Sequence, residues 1–495
     1  MSSNPRHPSS STSSAGSAFV NMQRDTLALL PEIFVLVGAV VVLLAGSFLP
    51  RDRQVVTRYL AIAALLLAAG AAAVGMTSPA MTIFEGGFAV DVATGAARII
   101  IPLATILVLV LGAPELGGSR RESETYSLMM LAALGAMAMA GANDLLVLAA
   151  GYLLASIPLY ALVGMSRSPG AAEAALKTYL IGALMGIALL LGVTILYGIG
   201  GSTSYFELRS TLGGAPPAAV LAGILGVAAG LMFKAGGVPG HFWVPDATQA
   251  SGTAVAAFLT SIPKLGALVA AYRFFDLLPG GSDPGAVGWP LLVAILAAAS
   301  MTLGNLAAFW QTDVRRLLGW STVSQVGYLL LPVAVAGTTD LALPSLLLYL
   351  AGYVASNITA FAVIAALPTR RSIEDYRGAA AAHPRLAGAL VVSLLGLVGT
   401  PPTAVFVGKL TTFTAAWDGG LAWLVVVAAI NTVASLFYYL RWLAPMFARG
   451  QADVVAPAPR RPSASWAAVV GATLVLIIGI AAGPVLGVFD APLAG

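Results

Sequence analysis

The sequence predicts an all-α polytopic membrane protein of about 14 transmembrane helices, containing two inverted five-helix repeats that each carry one broken helix. Three observations lead there. The chain is 59% hydrophobic and only 9% charged, with a mean hydropathy of +0.91. Its apolar runs recur at the length that crosses a bilayer, about 20 residues. Its arginines alternate between successive loops as a membrane topology demands.

Residues 1–26 are Ser-rich and lack the apolar core of a cleavable signal, so they are expected to be a disordered tail. Residues 27–490 then read as a single transmembrane domain. Hydropathy places spans at 27–48, 57–77, 88–112, 125–141, 143–164, 171–200, 216–252, 254–277, 288–310, 314–336, 340–367, 384–418, 420–446 and 464–489. Loops after odd-numbered spans hold Arg51, Arg53, Arg58, Arg120, Arg121, Arg167, Arg315, Arg316, Arg370, Arg371, Arg377, Arg385, Arg449, Arg460 and Arg461. Loops after even-numbered spans hold only Arg209 and Arg273. By the positive-inside rule both termini are expected on the non-cytoplasmic side.

The spans at 216–252 and 384–418 are about 35 residues long, too long for one straight crossing. Each is interrupted, by Gly236-Gly237-Val238-Pro239-Gly240 and by Gly399-Thr400-Pro401-Pro402. Non-helical backbone at membrane depth is tolerated only where it meets protein or a water-filled cavity. The interrupted spans are five apart, at matching places in one repeat of about 125–277 and another of about 288–446, flanked by helices in 27–112 and 464–489. A shift of five crossings inverts direction, so an ion path at each break is expected.

Lysine usage points to the traffic on that path. Only Lys177, Lys234, Lys264 and Lys409 are lysine, against twenty-one arginines, and all four lie in or at the edge of apolar spans. An amine can shed its proton on burial, whereas a guanidinium stays charged. A lysine at such depth costs about 3 kcal/mol on insertion scales, which favours a functional role. A lysine sealing the carbonyls of a helix break is the plainer alternative. With no cysteine and three scattered histidines (His7, His241, His383), thiolate-held clusters are excluded and a haem is disfavoured. No basic stripe suggests nucleic acid.

The stretch from Phe233 to Asp246, FKAGGVPGHFWVPD, resembles the broken seventh helix of the antiporter-like subunits of respiratory complex I. EAALKTYLIGALMGIALLLGVTILYG (Glu173 to Gly198), QTDVRRLLGWSTVSQVGYLL (Gln311 to Leu330), GTPPTAVFVGK (Gly399 to Lys409) and SLFYYLR (Ser435 to Arg441) resemble the subunit N family of bacterial NADH-quinone oxidoreductase. The resemblance runs in order from about residue 27 to 450. It implies a proton-translocating subunit of the membrane arm in the bacterial plasma (inner) membrane, beside other membrane-arm subunits that include antiporter-like neighbours. It implies no cofactor in this chain, with NADH, FMN, iron-sulfur clusters and quinone in partner subunits; the chain also lacks a Gly-rich strand-turn-helix unit for a dinucleotide. The chain's stop soon after its last span suggests an internal position in the arm.

Residue by residue, Lys234 matches the family's seventh-helix lysine, Lys264 the connecting lysine of the eighth helix, and Lys409 the terminal lysine after the second break. Lys177 also aligns with a family lysine, but lies near a helix start where it can snorkel to water. His241, two residues after Pro239, is placed to pass a proton between the halves of the broken helix or to sit neutral and hydrogen-bonded. Asp246 is expected to cap a helix segment or meet a loop partner, and Asp91 and Arg98, seven apart, to pair on one helix face. Where the family carries a fifth-helix glutamate that pairs with the seventh-helix lysine, this chain has Leu153; Asp144 is too distant along the helix to substitute. Gln325 stands where relatives often have histidine. These departures leave open a transport-inactive structural subunit of the same arm, or a subunit of a cation/proton antiporter.

Overall fold

The computed structural model describes residues 22–276, 278, 288–448 and 461–494. Each of the fourteen expected spans is matched by helix among the described residues. Single helices form twelve of them: α1 (Leu30–Phe48), α2 (Val55–Gly75), α3 (Val92–Leu116), α4 (Glu122–Gly141), α5 (Leu145–Gly164), α6 (Pro169–Gly200), α9 (Thr253–Asp276), α10 (Trp289–Phe309), α11 (Val314–Ala334), α12 (Ala342–Ala366), α15 (Ala422–Phe447) and α16 (Pro462–Ile480). The two long spans are broken as expected, into α7 (Pro217–Ala235) with α8 (Trp243–Ala250), and α13 (Pro384–Val398) with α14 (Ala404–Asp418). Residues 1–21 of the expected tail lie outside the described residues, while 22–28 are helical.

The expected span at 88–112 starts later. Residues Met81–Ile83 (β1) and Phe88–Val90 (β2) form a small antiparallel hairpin, with Met81 opposite Val90. Asp91 then caps α3 by accepting the Thr94 N–H at 3.1 Å.

Burial sorts the helices. The most apolar stretch of α9 is wholly buried, and those of α11 and α12 are 94% and 89% buried, against 33% for α1, α2, α6 and α15. The central helices are also the ones rich in Ser, Thr, Asn, Gln and Tyr. In hydrocarbon this order is required, because a polar side chain facing lipid has no partner and one facing a neighbouring helix does.

The repeats carry matching local structure. Asp144 caps α5 and its backbone bridges Ser204; Asp313 caps α11 and its backbone bridges Ser372. Leu145 N–H donates to Thr203 O at 2.9 Å and Val314 N–H to Arg371 O at 3.0 Å, the equivalent bond in the other repeat. Both upper half-helices end on a left-handed glycine, Gly236 at φ +80° and Gly399 at φ +89°. Gly236 and Gly237 N–H groups reach Met232 O, and Gly399 and Thr400 N–H groups reach Leu395 O, the paired bonds of a helix C-terminal cap. The X-Pro bonds Val238-Pro239 and Pro401-Pro402 are both cis.

Buried ion pairs tie the flanking helices to each other and to the first repeat, and they correct the expected Asp91–Arg98 pair. Arg98 instead donates from Nε and Nη2 to both oxygens of Glu32 on α1, each at 2.7 Å. Asp91 receives a two-pronged bond from Arg273, at 2.8 and 2.9 Å. Arg273 is therefore no loop residue, being 1% exposed inside the last turns of α9. Two charges on one helix face find better partners across helices, where fork and carboxylate lie in one plane.

Removing one member of such a pair strands the other charge, at a cost of about 3–5 kcal/mol. Asp91→Asn is expected to lower the thermal unfolding midpoint of the detergent-solubilised protein markedly. The double change Asp91→Leu with Arg273→Met should restore most of the loss.

Candidate proton path

Each helix break leaves carbonyls that the cap does not satisfy, and each is met by a lysine. Lys264 on α9 donates from Nζ to Ala235 O at 2.8 Å, the last residue of α7. Lys409 on α14 donates from Nζ to Val398 O at 2.9 Å, the last residue of α13. Ala235 and Val398 hold the same place, one residue before the left-handed glycine. A cation at a helix C-terminus also meets the negative end of its dipole. Both glycines are required twice over, by their backbone angle and by the lysine: a Cβ on Gly236 would lie 3.0 Å from Lys264 Nζ, and one on Gly399 3.0 Å from Lys409 Cδ.

Lys234, the third buried lysine, points from the last turn of α7 toward α5. Its Nζ donates to Ser156 Oγ and lies 4.8 Å from the centre of the Tyr152 ring. An aromatic face holds a cation by its quadrupole without taking its proton. Leu153 stands elsewhere, 44% exposed on the outer flank of α5. Among the described residues no carboxylate makes an ion pair with Lys234, Lys264 or Lys409.

Two groups of neutral polar side chains lie in a run between the two breaks. One turn before Lys264, Thr260 and Ser261 accept from Asn357 Nδ2 at 2.8 and 2.9 Å. Tyr353 donates to Thr260 O at 2.6 Å and lies 3.1 Å from Thr322 Oγ1. Tyr349 donates to Gln325 Oε1 at 2.8 Å, and Gln325 Nε2 donates to Leu397 O at 2.9 Å, next to the carbonyl that Lys409 engages. Beyond Lys409, Thr432 Oγ1 lies 3.4 Å from its Nζ and 3.3 Å from Tyr328 OH. The Lys409 ammonium also sits 3.9 Å from the Tyr328 ring centre. Gln325 thus occupies a position on this run, with an amide in place of a titratable ring. Buried Ser356 Oγ, Asn357 Oδ1, Thr412 Oγ1 and His241 Nδ1 have no protein partner among the described residues, the condition under which internal water is held.

The other candidates fall into place around this axis. His241 is 5% exposed between Phe242 and the Trp320 ring, 5.7 Å away, close to the first break. Gly237 and Pro239 lie in the same break, where the Val238 N–H donates to Ser300 Oγ at 3.0 Å. Pro401 and Pro402 form the irregular link from α13 to α14. Lys177 stands apart from these groups: half-exposed at the start of α6, it pairs with Glu173 at 2.7 Å and Asp246 at 3.1 Å. Asp246 is neither a cap nor a loop contact, but a hub that also takes Arg316 at 2.6 Å.

Sequence reasoning missed Ser156, Tyr152, Thr260, Tyr349, Tyr353, Asn357 and Thr432. For α12 a signal existed: Tyr349, Tyr353 and Asn357 recur every four residues on an otherwise apolar helix, which places them on one face.

A bundle of two inverted repeats, each with a broken helix whose end meets a buried lysine, defines an antiporter-like membrane subunit. The family model for the NADH:quinone oxidoreductase/Mrp antiporter transmembrane region matches residues 142–435. NADH-quinone oxidoreductase subunit N of Mycobacterium sp. (strain JLS) is 57% identical over 460 residues, covering 92% of this chain and 96% of that protein. A chain of respiratory complex I from Thermus thermophilus matches with a TM-score of 0.80 and 31% identity, over 93% of this chain and all of that one. A chain of the Mrp complex from Dietzia sp. has the same fold, with a TM-score of 0.80 at 22% identity, over 94% and 96% of the two chains. The chain belongs to the NADH:quinone oxidoreductase/Mrp antiporter family, within its subunit N group.

Forcing a side chain onto a left-handed glycine costs roughly 1–2 kcal/mol. Gly236→Ala is expected to cost more than Gly420→Ala. Gly420 shares the positive φ but a Cβ there meets nothing, whereas one on Gly236 meets Val244 Cγ2 at 2.8 Å and Lys264 Nζ. Thermal denaturation of the two variants checks the ranking.

Proposed function

We propose that this chain is a proton-translocating membrane-arm subunit of an NADH-quinone oxidoreductase, passing protons through Lys234, Lys264 and Lys409. The observation that carries this reading is the set of neutral hydroxyl and amide groups that lies between the two helix breaks, with a buried lysine at each break that no carboxylate pairs among the described residues. Each amine binds a proton at Nζ and releases it without leaving a bare carboxylate in hydrocarbon. As an ammonium, Lys234 donates to Ser156; as an amine, its lone pair accepts the Ser156 O–H, because a hydroxyl serves as donor or acceptor. At Lys264 and Lys409 the charged form is held by a carbonyl and the helix dipole, so a proton arriving at one break and leaving the other alters the hold on each half-helix.

The chain lies in the bacterial plasma (inner) membrane, with both termini on the non-cytoplasmic side, as the arginine distribution requires. Quinone reduction in partner subunits drives the transfer, and NADH, FMN and iron-sulfur clusters bind there, where the thiolates and nucleotide folds absent from this sequence must be supplied. His241 assists at the first break, and Lys177 positions α8 through Asp246.

Purification in mild detergent is expected to recover the NADH-oxidising and quinone-binding subunits with this chain. Recovery of antiporter-like neighbours alone would favour the cation/proton antiporter reading. In proteoliposomes, Lys234→Met is expected to lower the number of protons moved per NADH while the complex still assembles. An unchanged proton yield would favour the structural reading, which the carbonyl-sealing positions of Lys264 and Lys409 also support.

A further inference from the structure

On the arginine-rich face, five segments converge on a small cavity of about 170 Å³. It is lined by Arg315, Arg370, Arg371 and Arg461, with Glu115 as its one carboxylate. The guanidinium groups come from the start of α11, the loop after α12 and the residue that precedes α16. Three are anchored by backbone carbonyls: Arg315 Nη1 to Ser251 O at 3.0 Å, Arg461 Nη1 to Ala365 O at 3.4 Å, and Arg370 Nη1 to Asp375 O.

These anchors fix the groups through carbonyls; the nearby Asp375 carboxylate, which faces Arg370, accepts the Arg371 and Ser372 N–H groups at 2.9 and 2.7 Å. Among the described residues none of the four arginines makes a carboxylate ion pair. Glu115 is already committed, accepting the Thr253 N–H at 3.0 Å and the Ala254 N–H at 3.2 Å where α9 begins. The lining therefore carries four positive charges against one negative, in a space too small for a folded segment. A guanidinium presents five donors in a plane, and each anchored one has spent a single donor on its carbonyl.

We propose that this cavity is a binding site for a phosphate-type oxyanion, held by Arg315, Arg371 and Arg461 in charge-assisted, forked hydrogen bonds. The chemistry suits either free phosphate or the headgroup of an anionic phospholipid, since the site lies at helix ends on the arginine-rich side of the bundle. Occupancy would tie the starts of α11 and α16 to the end of α12. It requires nothing of the proton path.

The test uses the complex containing this chain, delipidated in neutral detergent, with hydrogen exchange followed over residues 361–372 and 461–468. Phosphatidylglycerol micelles, phosphatidylcholine micelles and millimolar inorganic phosphate are the three probes. Slowed exchange with phosphate marks a free oxyanion, and slowed exchange with phosphatidylglycerol alone marks a lipid headgroup; either supports the site. In the Arg315→Gln/Arg461→Gln variant the apparent affinity is expected to fall about tenfold or more, the loss of at least one charge-assisted bond. Glu115→Gln, which removes the opposing charge and keeps an acceptor for α9, is expected to tighten binding and serves if the double variant fails to assemble. Equal response to both lipids with none to phosphate overturns the proposal. So does binding that neither variant alters, or an acidic segment of a neighbouring subunit found in the cavity.

Discussion

A bilayer offers no partner to a carbonyl that a helix has released, and this fold releases carbonyls twice at membrane depth. Everything central to the molecule answers that constraint. Glycine in the left-handed region turns the chain at each break and two N–H bonds close part of the end. The last carbonyl of each half-helix, Ala235 O or Val398 O, is left to a lysine. The ammonium is tolerable there only because the half-helix end is electronegative, and the open end is tolerable only because the ammonium is present. Break and lysine are a single device used twice.

That mutual dependence links architecture to transport. A group that merely sealed the backbone needs a permanent charge or a fixed donor, and arginine would serve. Lysine seals while remaining able to lose a proton, and in the proposed function the polar groups of α9, α11, α12 and α13 are what receives it. The run is neutral throughout, so the lysines bear the only charges on it. Lys234, resting on a hydroxyl and an aromatic face, is the extreme case. The position of the expected glutamate, Leu153, lies on an outer flank, and the α5 side chains that Lys234 meets are Ser156 and Tyr152.

Much of this was legible in the sequence because membrane insertion writes its rules locally. Span lengths, alternating arginines and two Gly/Pro interruptions five crossings apart reveal the repeats, and the scarcity of lysine draws attention to the four in or beside apolar spans. What was hidden depends on distance in the chain. Arg98 is near Asp91 in sequence, yet each pairs across the bundle, with Glu32 and Arg273, because the forked geometry is available only between helices. Arg273 reads as a loop charge from its place at the end of a span and is a core residue in fact. Asp246 reads as a cap and is an ion-pair hub, since its partners Lys177 and Arg316 come from helices 69 and 70 residues away. The tyrosines and asparagine of α12 show their spacing openly, but their meaning appears only against the neighbours they touch.

The measurement that bears most directly on this account is the proton yield per NADH of the reconstituted complex carrying Lys264→Arg. Guanidinium keeps the positive charge at the Ala235 carbonyl and so preserves the seal, but does not release a proton. The account predicts normal assembly and thermal stability with a reduced yield. Assembly and yield both at the level of the unaltered protein would contradict it, leaving Lys264 as a cap on a helix end and nothing more.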